Sequence, residues 1–205
     1  MLNAATPLRQ RGASLIEIVV VMAILAGLLS AVMPSVSDWL RGLKVRTAAD
    51  SMRNGMEIAR MEALKRNTTV TFWLVQDGTA QVPGNACVLS SSSAAWVVSV
   101  VDPTGACGVA ASLTETPQLV QHSTGGENAP GLSVSAISAA GNGATRVSFD
   151  GLGRVANTAA GIHLVDVTAA SGTARQLRVM VDSGGAIRMC DRGVTAPDPR
   201  ACPST

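Results

Sequence analysis

The chain has 205 residues, enough for one domain of moderate size plus an extra element. With 47% hydrophobic and 15% charged residues it carries more apolar surface than one soluble core needs, so part of it is expected in a membrane. Aromatics are 2% with no Tyr, and the formal charge of +2 is spread without a dense basic stripe, which argues against a stacking or strongly electrostatic nucleic-acid surface. Trp39, Trp73 and Trp96 are expected as core or membrane-interface anchors.

Residues 1–12 are polar and end in Arg9-Gln10-Arg11-Gly12; Ala13-Ser14-Leu15-Ile16-Glu17 follows, then an apolar run over residues 18–33. A secretory signal has its small-residue cleavage site after the apolar run, and no such site follows here. Counted from residue 15 to 36 the run has about 22 residues, close to the roughly 20 of a spanning helix, and is expected to be retained as an anchor. Glu17 is the anomaly, since a carboxylate at the centre of a membrane helix costs about 2.5–3.5 kcal/mol on insertion scales. It either reaches back to the headgroups or finds a cation. Cleavage after Gly12 would free an α-amino group on Ala13, four residues and about one helical turn before Glu17. One subunit's Glu17 would then neutralise the amine of the next.

Gly12, Ala13 and Glu17 together resemble the class III signal of type IV pilins and type II secretion pseudopilins. The resemblance implies that a prepilin peptidase cuts after Gly12 and that Ala13, where the family usually has Phe, is the residue to be N-methylated. Pro34 falls where many pilins have a helix-softening proline, and an interior proline removes a backbone hydrogen bond. Without residues 1–12 the chain would carry 14 basic and 14 acidic side chains.

Beyond Pro34, apolar or small residues at Val36, Leu40, Leu43, Thr47, Met52, Met56, Ala59 and Ala63 are expected to form one face of a continuing helix, ending near Asn67. Asp50 with Arg53, Glu57 with Arg60 and Glu62 with Arg66 mark a solvated face. The stretch from Ala59 to Asn67 (ARMEALKRN) is similar to the signature ending the first helix in the GspH/FimT family of minor pilins and pseudopilins. Residues 147–154 (VSFDGLGR), 162–164, 175–179 and 187–190 agree with it in order, whereas residues 76–140 do so weakly.

The remainder reads as short strands near 70–75, 95–101, 118–122, 132–137, 145–149, 162–168, 175–182 and 186–190, separated by breaks rich in Gly, Ser and Asn. The expected fold is thus α+β and pilin-like: a leader at 1–12, a transmembrane helix at 13–36, an amphipathic stalk at 37–67 and a mainly antiparallel β head at 68–205. Four cysteines allow three pairings. Neither zinc nor redox spacing is present, and in an oxidising space the sequence-local pairs Cys87–Cys107 and Cys190–Cys202 are expected, the latter stapling a proline-rich tail.

No hydrolase triad, metal motif or phosphate loop is found, and His122 and His163 read as ordinary strand residues, so neither enzymatic activity nor a cofactor or small-molecule substrate is expected. Some minor pilins bind DNA through a basic GRxR element. The matching residues here, Gly185-Ala186-Ile187-Arg188, lack the first Arg, leaving Arg178, Arg188 and Arg192 as candidates for weak, salt-sensitive phosphate contact. The leading expectation is a structural subunit of a type IV pilus or a type II secretion pseudopilus. Its partners would be the prepilin peptidase, other pilins and the bacterial inner membrane, with the head in the periplasm. A DNA-binding minor pilin and a plain anchored envelope protein are the alternatives.

Overall fold

The computed structural model describes residues 14–78, 82–124, 130–171 and 175–203; Gly12 and Ala13 lie outside them. One helix, α1 (Leu15–Arg66), is followed by nine strands: β1 (Val70–Gln76), β2 (Val88–Leu89), β3 (Trp96–Ser99), β4 (Leu119–His122), β5 (Leu132–Ser138), β6 (Arg146–Phe149), β7 (Ile162–Ala169), β8 (Leu177–Val181) and β9 (Ile187–Asp191). The fold is α+β, a long N-terminal helix followed by antiparallel sheets. The chain divides into a small unit ending at Ser37 and a large one from Asp38.

Within the large unit α1 buries Val45, Ala48, Ala49, Met52, Met56, Ala59 and Ala63 completely. This corrects the expected stripe. At 100° per residue, the five-residue step from Thr47 to Met52 turns about 140° around the helix, so the two halves of that stripe point in different directions. Leu40, Leu43 and Thr47 are exposed, as is Val36, and the buried face runs through Val45 and Ala48 instead. Small residues at 48, 49, 59 and 63 let the helix lie close to the sheets.

The end of α1 is set by Asn67, whose φ of 50° is left-handed. The Asn67 amide donates to Leu64 O at 3.4 Å and the Thr68 amide to Ala63 O at 3.3 Å, the paired bonds of a Schellman cap. Three residues later the β-branched run becomes β1, and every residue from Val70 to Val75 is buried. Alternation sends Val70, Phe72 and Leu74 to the core beneath α1. Trp73 and Val75 go the other way, into a smaller core with Val97, Leu119 and the cysteines Cys87 and Cys107.

β1 is central in the first sheet, pairing with β3 and β6 and, at Val75 and Gln76, with the two-residue β2. β4 lies beyond β3. β2 was not expected; two residues held by a neighbouring strand have no period of their own to read. The second sheet runs β5-β7-β8-β9. In β8, Leu177, Val179 and Val181 are buried and Arg178 and Met180 half-buried, the alternation the sequence suggests.

Candidate assembly helix and the helix–head clasp

In the small unit, the first turn of α1 carries one acid, Glu17, and the residues after it show no apolar stripe. Ile18, Val19, Val20, Val21, Met22, Ile24 and Leu25 are all about half exposed or more, so the helix is apolar around its whole circumference. Such a helix belongs in a core or a membrane. Among the described residues no single helix is by itself long and apolar enough to cross a membrane. The segments Leu15–Ser30 and Ser35–Arg66 reach that length and composition only together, across the break that holds Pro34.

The residues of the GspH/FimT-like signature, far apart in sequence, meet at the other end of α1. Arg60 Nε donates to the Gly153 carbonyl at 3.0 Å. The turn that presents this carbonyl is organised by Asp150, whose carboxylate accepts from the Leu152 amide (3.0 Å), the Arg154 amide (2.9 Å) and the Arg154 guanidinium (2.9 Å). The backbone bond from Arg154, followed by its side chain and the Leu152 amide, outweighs desolvation and holds the Asp150 carboxyl below its usual range. Gly185, at φ 82°, closes the third side: a Cβ there would overlap the Gly153 oxygen. Glu62, 15% exposed, binds Arg66 at 2.6 Å and Lys65 at 3.5 Å. Burial raises its pKa, but the hydrogen bond and charge of Arg66, aided by Lys65, bring it below the ordinary value.

Sequence reasoning saw the pieces of this clasp but not their meeting. It also missed Gly55, where an added Cβ would come within 2.8 Å of both the Phe72 ring and the Trp96 indole. Those rings lie 5.8 Å apart, and the indole nitrogen of Trp96 donates to Ser51 Oγ at 2.9 Å. A mid-helix glycine, here the second residue of Asn54-Gly55, reads as a weak point in sequence; the close approach of the sheet is what requires it. Trp73 and Trp96 are buried, Trp39 exposed.

Of the candidate phosphate contacts, Arg178 meets Asp166 with two bonds (2.7 and 2.9 Å), and Arg192 reaches the same carboxylate at 3.1 Å. The bonds it donates to Asp166 raise the Arg178 pKa against the opposing effect of burial. Arg188 is exposed on β9. His122 Nδ1 is 2.9 Å from the Ser123 carbonyl oxygen and His163 Nδ1 3.2 Å from that of Val181. Cys87 is bonded to Cys107, with Cα atoms 6.1 Å apart, and Cys190 to Cys202, at 4.9 Å. The latter holds the tail along β9, where the Asp191 amide donates to Arg200 O at 2.7 Å. Among the described residues no cluster of three His, Cys, Asp or Glu is placed to hold a metal.

Residues 48–185, from the buried face of α1 through the clasp to Gly185, match the family model described as type II transport protein GspH. The chain belongs to the GspH family. Two crystal structures of the type IV minor pilin FimU of Pseudomonas aeruginosa are similar to this chain. One has 14% identity and a TM-score of 0.44 over 70% of this chain and 86% of FimU. The other has 13% identity and a TM-score of 0.43 over 70% and 90%. No curated protein sequence matches. The GspH match covers the stalk face and the clasp but begins after the apolar segment, which the family assignment therefore does not use.

Proposed function

We propose that this GspH-family chain is a structural minor pilin or pseudopilin. It is anchored in the bacterial inner membrane by the first part of α1, with the head in the periplasm, and it assembles into or primes a type IV pilus or a type II secretion pseudopilus. The observation that carries this is the apolar circumference of Leu15–Ser30 beside the single acid Glu17. A helix apolar on all sides is stable first in lipid and then among other such helices, and Glu17 gives that second state a specific partner. The partner is the α-amino group of Ala13 on a neighbouring subunit, freed when a prepilin peptidase cuts after Gly12. N-methylation of that amine would keep its positive charge. Pro34 removes one helix hydrogen bond near the end of the anchor and allows the helix to loosen when it leaves the membrane.

Mass spectrometry of the membrane-extracted protein is expected to find Ala13 as the first residue, with or without a 14 Da methyl increment. A chain beginning at Met1 would overturn the reading. Glu17→Val should be processed and anchored normally but fail to enter filaments; unaltered incorporation would remove the assembly role of Glu17, and a wild type absent from filaments would favour a plain anchored envelope protein. No observation favours DNA capture, since Asp166 engages both Arg178 and Arg192.

A further inference from the structure

In the first turns of α1 that belong to the large unit, Trp39, Leu40 and Leu43 are 64%, 47% and 43% exposed, and Thr47 is exposed one turn further on. At 100° per residue these four fall within an arc of about 100°. Val45, Ala48, Ala49 and Met52, all completely buried against the head, centre about 180° away from that arc. The head therefore covers one side of this stretch and leaves an apolar stripe on the other.

The stripe is flanked by cations. Lys44 and Arg46 are exposed and stand about 80° to either side of its centre. Lys44 makes no ion pair among the described residues, and Arg46 remains 60% exposed although it reaches Asp50 at 3.4 Å. Arg41 and Asp38, on the side of the head, neutralise each other at 2.8 Å.

What covers the stripe follows from its place in the chain. Trp39 comes three residues after Val36, where the apolar run ends, and three residues of helix advance about 4.5 Å. The headgroup layer on each side of the hydrocarbon is about 5–7 Å deep, so the stripe begins inside it. An indole at that depth, leucines beside it and a lysine and an arginine on the flanks are what an interfacial helix presents to lipid. A close helix–helix contact in the membrane would call for Gly, Ala or Ser on this face, and it carries Trp and Leu.

We infer that the Trp39–Leu40–Leu43 stripe lies in the headgroup layer of the membrane that holds the anchor, with Lys44 and Arg46 reaching phospholipid phosphates on its two sides. The contact removes from water an apolar face that the head does not cover, before any filament forms. It turns the buried side of this stretch, and the head packed on it, away from the lipid.

The inference rests on the anchored reading and adds to it a contact made by one face only. The test places the full chain in vesicles of phosphatidylethanolamine and phosphatidylglycerol, with or without bromine near the glycerol end of the acyl chains. Trp73 and Trp96 are 4% and 2% exposed, so bromine quenching reads Trp39, and Trp39→Phe supplies the background. Trp39 emission should be lost in the brominated vesicles. In the Trp39→Phe background, Leu43→Trp should lose its emission too, whereas Gly42→Trp, at nearly the same height but 100° round the helix, should keep most of it. Nothing lies within 4 Å of a Cβ added at Gly42, so that variant should melt as the wild type does. Equal quenching at positions 42 and 43 means a helix standing upright in the layer and overturns the inference. So does an unquenched Leu43→Trp, whether water or another pilin's helix meets the face. Flotation with the vesicles keeps the two readings apart: a chain that floats without the face-specific quenching loses the contact and keeps the anchor, and one that does not float loses both.

Discussion

Gly55 shows how a single position can reverse an expectation. In an open helix, Gly→Ala gains about 1 kcal/mol of propensity, and Gly42→Ala, with nothing within 4 Å of an added Cβ, should raise the melting temperature. At Gly55 the same change drives a methyl into Phe72 and Trp96, at a cost of roughly 1–3 kcal/mol, and should lower it. A thermal melt of the two variants side by side checks the pair of opposite signs. Asp198 is the other residue with a definite signature: the Arg200 side chain, and next its amide, pull its pKa from 3.8 to about 2. A depressed carboxylate contributes stability in full above its unfolded value and loses it as pH falls through the folded one. The Asp198–Arg200 pair should thus persist through pH 4 and dissolve towards pH 2. A carboxyl carbon titration by NMR should place the midpoint near 2 in the wild type and nearer 3.8 in Arg200→Ala.

At the scale of elements, α1 carries two apolar surfaces that a list of residues merges into one. Val45 to Ala63 belongs to the head; Leu40, Leu43, Met61 and Leu64 are exposed elsewhere on the helix. Substituting Leu43 by Ser should leave head stability within about 0.5 kcal/mol, whereas Met52→Ala should cost about 2–5 kcal/mol, both measurable by urea unfolding. The strands were legible because β1, β7 and β8 have β-branched runs or clean alternation bounded by glycines. β2 was not, because only its partner makes it a strand. The tail after β9 has almost no apolar residues and leans on the Cys190–Cys202 bond; closing a loop of that length is worth about 3 kcal/mol in the chain-entropy view. The double Cys→Ser variant should lose about 2–4 kcal/mol, with early hydrogen exchange at the Asp191 amide.

For the whole molecule, the buried core residues among the described ones all lie at or beyond Val45. A chain shortened to begin at Asp38 should fold, melt cooperatively and keep both disulfides, as circular dichroism and intact-mass measurement would show. Loss of cooperativity would mean that the segment before Asp38 supports the head. The sequence by itself determined the parts written in local chemistry. β-branched strands between glycine breaks and cysteines close in sequence each state their needs within a few residues. Tertiary structure alone decided which side of α1 is buried, why Gly55 is required and that Arg60, Gly153 and Gly185 form one clasp. Those depend on the approach of segments up to 125 residues apart, and a single chain read in order holds no record of the distances between them.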